Sequence, residues 1–150
     1  MALAEQIQND TKAALLGGNR FAGDVLRSLK AAILNEEVAL GKREDGLSDE
    51  EIEKIIAREV KKRQESIKLY EANNRPELAE NEKQEIAVIE QYLPEQMSDE
   101  EIEKLVTVII TEMSASPQQM GQVIGAVKAK VGNLADGAKI AEIVKRKLIQ

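Results

Sequence analysis

The sequence predicts an all-α protein of seven helices. Apolar residues recur at three- and four-residue spacing along nearly the whole chain, and no segment alternates apolar and polar residues as a strand would. Serine, asparagine, glycine and proline stand at the ends of these periodic segments, where helices begin and end. We expect an N-terminal helical hairpin domain over residues 1–96 and a small C-terminal three-helix bundle over residues 97–150.

The first two helices are separated by glycine. The apolar pattern predicts a helix over residues 3–16, which ends at Gly17 and Gly18 because glycine readily adopts the left-handed conformation found after helices. Asn19 can start the second helix, which we expect to end near Gly41.

Two later helix starts have the same sequence, Ser-Asp-Glu-Glu-Ile-Glu-Lys. Ser48 with Glu51, and Ser98 with Glu101, form the serine cap and the glutamate of a capping box. An internal duplication would explain the repeat, but the sequences that follow do not match, so we favour two helix starts that converged on one cap. Their acidic residues match the positive end of a helix dipole and do not indicate a metal site.

The middle of the chain reads as a long antiparallel hairpin. Its first helix starts near Asp49 and reaches Asn73, and Pro76 fits the first turn of its second helix. Tyr92 and Leu93 end the hairpin, since the residue before a proline avoids the helical region. The predicted boundary between domains follows this segment.

The last third should contain three helices. The first continues from Ser98, the second opens with Ser116 as its cap and proline at its first position, and Asp136 caps the third. The second of these helices contains Gly121 and Gly125, one turn apart, although glycine costs about 1 kcal/mol in a helix relative to alanine. Either close packing of a neighbouring helix or close approach of a ligand would explain them.

Charge is unevenly distributed. Residues 1–96 have a net charge of −6 and residues 97–150 are neutral, but the segment from Ala115 onward has six basic and two acidic residues, a net charge of +4. A local basic patch can attract a phosphate backbone even in an acidic protein. Lysines near the end of the last helix would also complement its dipole, so both explanations stay open for them. The six basic residues are Lys128, Lys130, Lys139, Lys145, Arg146 and Lys147.

Composition excludes several kinds of site. The chain has no cysteine and no histidine, which removes disulfides, thiolate nucleophiles and the commonest metal ligand and general base. We expect no cofactor and no metal. No apolar run is long enough for a membrane helix, and residues 1–10 do not resemble a signal peptide, so we expect a cytoplasmic protein that does not bind membranes. An aromatic content of 2% argues against base stacking on single strands.

Several segments together resemble the GatB/YqeY family, specifically its stand-alone YqeY-like proteins. The resemblance covers essentially the full length and depends on the order and spacing of the segments. They are Tyr92-Leu93-Pro94-Glu95-Gln96, the capped start at 98–101, Met120-Gly121, Gly125-Ala126-Val127, Lys130 and Ala135-Asp136-Gly137.

This resemblance implies an all-helical protein whose C-terminal domain contacts tRNA. In larger members, that domain is appended to the B subunit of the tRNA-dependent amidotransferase, which amidates misacylated tRNA, and to some glutaminyl-tRNA synthetases. An amidotransferase or an aminoacyl-tRNA synthetase is therefore an implied partner. The candidate tRNA-binding residues are Gly121, Gly125, Lys128, Lys130, Lys139, Lys145 and Arg146.

Three functions from different classes follow. The first, which we favour, is a tRNA-binding accessory protein without its own catalytic core. The second is a carbon–nitrogen ligase with glutamine as amido donor, for which the sequence supplies neither a cysteine nor an ATP-binding loop. The third is a helical adaptor that binds proteins through the hairpin at residues 49–92.

Overall fold

The structure is a computed structural model that describes residues 2–149, and within them it contains helices and turns but no β-strand. This confirms the predicted all-α class. The chain divides into two compact units, Met1–Leu93 and Pro94–Gln150. The helices are α1 (Leu3–Leu16), α2 (Arg20–Leu40), α3 (Asp49–Ala72), α4 (Pro76–Glu90), α5 (Asp99–Met113), α6 (Met120–Val131) and α7 (Gly137–Ile149).

Most helix ends lie where local chemistry predicts them. The Asn19 side chain accepts a hydrogen bond from the Ala22 amide (3.2 Å) at the start of α2, and Gly41 ends that helix with φ of 67°. Both predicted capping boxes are present, because Ser48 and Ser98 each exchange hydrogen bonds with the glutamate three residues later. These caps satisfy amides that have no partner inside the helix.

The start of α6 differs from the prediction. Pro117–Gln119 forms a separate 3₁₀ turn, so the α-helix begins only at Met120. The Gln119 side chain accepts a hydrogen bond from the Ser116 amide (2.8 Å), which closes the box around this tighter turn. A second 3₁₀ turn, Gly132–Leu134, follows α6 and leads to α7.

Two side-chain hydrogen bonds and an aliphatic core join distant parts of the N-terminal unit. The first amide of α1, on Leu3, donates to the carboxylate of Asp49 at the start of α3 (2.9 Å). The Tyr92 hydroxyl, just past α4, donates to Asp10 of α1 (2.6 Å). Between these contacts lies an aliphatic core that includes Ile7, Val25, Leu26, Leu29, Ile33, Ile52, Ile55, Ile56 and Ile89.

The distal part of the α3–α4 hairpin depends more on charge. The buried residues of α3 are confined to its first two turns, so the hairpin extends beyond the aliphatic core. Farther out, the Arg63 side chain is only 12% exposed and lies 3.6 Å from Glu59 and 3.8 Å from Glu85. This arginine therefore ties α3 to α4 where the core provides few apolar contacts.

The C-terminal unit has a core of its own. Helices α5, α6 and α7 contact one another, and the buried residues are β-branched or leucine throughout. They are Ile102, Val106, Ile109, Val123, Val127, Val131, Ile140, Ile143, Val144 and Leu148. Across residues 2–149, no helix combines the length and the apolar character needed to cross a membrane.

Substituting Tyr92 tests the contact between α1 and the end of α4. We expect Tyr92→Phe to lower the free energy of unfolding by about 1–2 kcal/mol, because it removes a partly buried hydrogen bond to a carboxylate. Urea denaturation would measure the change. Tyr70→Phe is the matched control, since Tyr70 lies near the end of α3; an equal loss in both variants would contradict the assignment.

Acid titration tests the first capping box. Hydrogen bonds from Lys42 (2.8 Å) and from the Ser48 backbone lower the pKa of Glu51 from 4.5 to about 2. Because the folded pKa lies below the unfolded one, the stabilisation is complete above about pH 4.5 and is lost as the pH falls toward 2. Stability measured across this interval should fall less in Glu51→Gln than in the wild type. Glu80→Gln, which removes an exposed carboxyl, should behave like the wild type.

Candidate functional site

Helix α6 turns its large apolar residues to one side. Val123, Val127 and Val131 recur at four-residue spacing and are buried in the core of the C-terminal unit. Gly121 and Gly125 lie on the opposite side and are exposed. We call the side of α6 that carries Gly121 and Gly125 its outer face. On two successive turns of this face, the side chain is only a hydrogen atom.

The two glycines do not serve helix packing in the described structure. Beyond the backbone of α6 itself and the adjacent residues, a Cβ atom on either Gly121 or Gly125 would meet no atom within 4 Å. Gly23 shows the opposite situation, since a Cβ there would come within 2.5 Å of Leu15 Cδ2 where α1 and α2 cross. Of the two explanations offered by the sequence, close packing of a neighbouring helix is thus contradicted.

Lys128 lies beside the outer face of α6, whereas Lys130 is rotated about 140° from Gly125. Two residues along an α-helix correspond to about 200° of rotation, so the side chains diverge. Lys128 crosses to the start of α7, where its Nζ lies 3.2 Å from the place that a Cβ on Gly137 would occupy. Both lysines are exposed, and neither forms an ion pair within residues 2–149.

Two of the predicted cations are paired with acids of α5. Lys139 lies 2.8 Å from Asp99, and Arg146 forms an ion pair with Glu103. The hydrogen bond to Asp99, followed by the charge of Asp99, raises the pKa of Lys139. Lys145 is exposed and makes no ion pair in the part of the chain that the structure describes.

These pairs change the interpretation of the local charge. The net charge of +4 refers to the chain from Ala115 onward, which leaves out α5 and its acidic first turn. Asp99 and Glu103 are the residues that sequence reasoning missed. Their four-residue spacing, and the seven-residue spacing of Lys139 and Arg146, place each pair on one helix face and could have revealed the match.

Asp136 has a structural role at the start of α7. Asp136 accepts a hydrogen bond from the Ala138 amide (3.2 Å), as expected for a cap of α7. Among residues 2–149, no three side chains of the kinds that bind metals come together as a metal site. A shallow groove of about 510 Å³ in the N-terminal unit is lined mainly by small apolar residues, with the hydrogen-bonded Asp10 and Tyr92 at its edge.

Comparison with known proteins identifies the family. The model of the YqeY-like protein family matches residues 4–148. The chain belongs to this family. The match confirms the resemblance to stand-alone YqeY-like proteins and includes most of α1 through most of α7.

Two curated relatives are fungal proteins named "Altered inheritance of mitochondria protein 41, mitochondrial". The one from Clavispora lusitaniae is 29% identical over 117 residues, which cover 77% of this chain and 66% of the relative. The one from Saccharomyces cerevisiae strain YJM789 is 26% identical over 136 residues, which cover 86% of this chain and 72% of the relative. The chain thus spans about two thirds of the length of the curated relatives that it matches.

Alanine substitutions test the open face of α6. We expect Gly125→Ala to raise the free energy of unfolding by about 0.5–1 kcal/mol, because alanine favours the helix and its Cβ meets no neighbour. The gain from Gly121→Ala should be smaller, since Gly121 lies in the first turn. Gly132→Ala is the control and should destabilise the unit, because Gly132 has a φ of 54°. Destabilisation by Gly125→Ala in urea denaturation would indicate a packing role after all.

Proposed function

We propose that the C-terminal unit binds tRNA along the outer face of α6. The observation that supports this proposal is the exposure of Gly121 and Gly125 in a helix that also carries the exposed Lys128 and Lys130. A face without side chains allows a sugar–phosphate backbone to approach closely, the ammonium group of Lys128 beside it can reach a phosphate, and Lys130 adds positive charge on the same helix. The family resemblance, which implies a tRNA-contacting domain, supports the same choice.

The proposed role is that of an accessory protein. The chain contains neither cysteine nor histidine, and the proposed site consists of glycines and lysines, which suit binding better than catalysis. A partner enzyme would carry out the chemistry on the bound tRNA. We propose an amidotransferase or an aminoacyl-tRNA synthetase as this partner. A cytoplasmic location stays a prediction, because the curated relatives are named mitochondrial.

Charge-removing substitutions test the proposal. Fluorescence anisotropy with bulk tRNA, titrated with salt, should show binding by the wild type and weaker binding by Lys128→Gln/Lys130→Gln. The slope of log affinity against log salt should become shallower by about two, since each lysine contacts about one phosphate. Gly125→Leu should also weaken binding, because a bulky side chain would cover the open face.

A control variant separates local from overall charge. Lys12→Gln/Lys30→Gln removes the same charge from exposed positions in the N-terminal unit and should leave tRNA affinity nearly unchanged. The proposal fails if the wild type does not bind tRNA at low salt. It also fails if both double variants lose affinity equally.

One observation favours the adaptor hypothesis as a second candidate. Leu69 and Leu78, toward the distal end of the α3–α4 hairpin, are 65% and 42% exposed. Exposed apolar side chains mark a protein-binding surface when they form a contiguous patch, which these two leucines would contribute to. A partner that is captured by the wild type and by Lys128→Gln/Lys130→Gln, but not by Leu69→Ser/Leu78→Ser, would support this function.

A further inference from the structure

The C-terminal unit separates its charges by helix. Helix α5 has five acidic residues and one lysine, although residues 97–150 as a whole are neutral. The excess of positive charge therefore lies on α6 and α7. The acidic residues of α5 repel a polyanion and neutralise the cations closest to them, so they affect which cations a polyanion can reach.

Two ion pairs join α5 and α7. Lys139 lies 2.8 Å from Asp99, and Arg146 contacts Glu103. Asp99 and Glu103 are one turn apart on α5, and Lys139 and Arg146 are two turns apart on α7. We call these four residues the α5–α7 seam.

We infer that the α5–α7 seam withholds Lys139 and Arg146 from a polyanionic ligand, so that the ligand contacts Lys128, Lys130 and Lys145 instead. This inference rests on the proposed function and specifies which cations serve it. A phosphate that approached either seam cation would displace a carboxylate and would then lie beside that carboxylate. Repulsion between the two negative groups opposes such contact.

The surroundings of the seam strengthen this effect. The hydrogen bond to Asp99 and the charge of Asp99 raise the pKa of Lys139, and the charges of Asp136 and Glu142 act in the same direction. Glu101 adds negative charge in the first turn of α5. By contrast, Lys128 and Lys130 have no carboxylate partner among residues 2–149.

The seam side chains remain substantially exposed, so the ion pairs should contribute little to stability. Removing the two acidic residues should therefore change polyanion affinity without unfolding the unit. If the ion pairs had only a structural role, this affinity would not change. Asp99→Asn/Glu103→Gln frees both seam cations and changes the net charge by two. Glu100→Gln/Glu112→Gln is the matched control, because it changes the charge of the same helix equally at exposed residues that make no ion pair with α7.

The experiment compares the wild type with these two variants. Against bulk tRNA, the affinity of Asp99→Asn/Glu103→Gln should exceed that of the control. Between 50 and 200 mM salt, the affinity of the seam variant for tRNA should decrease by a factor about tenfold greater than that of the wild type, as two additional phosphate contacts would require. Elution from immobilised heparin, a polyanion that is not RNA, should likewise need more salt for the seam variant than for the control.

The outcomes distinguish the inference from the proposed function. If the wild type binds tRNA but the seam variant matches the control in affinity, salt dependence and heparin elution, the seam does not withhold cations and the inference is wrong. If no variant binds tRNA but the seam variant is retained more strongly on heparin, the proposed function fails and the seam inference stands. Equal heparin elution by both variants without any tRNA binding would contradict both.

Discussion

Burial of Val123, Val127 and Val131 determines how α6 is rotated about its axis, and this rotation places the candidate site on the surface. Val123 and Val127 are buried in one core with Val106 of α5 and Val144 of α7. Any rotation that exposed Gly125 less would move these valines toward solvent, at a cost of roughly 1.5–3 kcal/mol for each fully exposed side chain. The glycine face therefore points outward because the opposite side of the helix has to be buried.

The N-terminal unit shows how distant residues complete local structure. Helix α1 has no side-chain cap of its own, and its first amide is satisfied by Asp49 from the start of α3. Asp49 also belongs to an acidic first turn, so one carboxylate serves two helix ends. Tyr92, which follows the end of α4 at the same end of the hairpin, makes a second contact with α1 through Asp10. The base of the hairpin is thus fixed by contacts that sequence neighbours could not supply.

The charges of this YqeY-like protein are organised by helix packing. An acidic chain can still present cations to a polyanion when they project from one helix and their acidic counterparts lie on another. In the C-terminal unit, Lys128 and Lys130 project from α6, whereas Asp99 and Glu103 occupy α5. The ion pairs with Lys139 and Arg146 show that nearness in space, more than position along the chain, decides which cations lack an acidic neighbour.

The sequence by itself determined the helical class, most helix ends and both serine capping boxes, because these depend on residues within one or two turns of each other. It also identified Gly121 and Gly125 as residues that destabilise their helix, but it could not decide whether they pack against a neighbouring helix or face the solvent. That choice depends on the rotation of α6, which the buried valines of three helices set together. The pairing of Lys139 with Asp99 likewise required the tertiary structure, because forty residues separate them and only the packing of α5 against α7 brings their charges together.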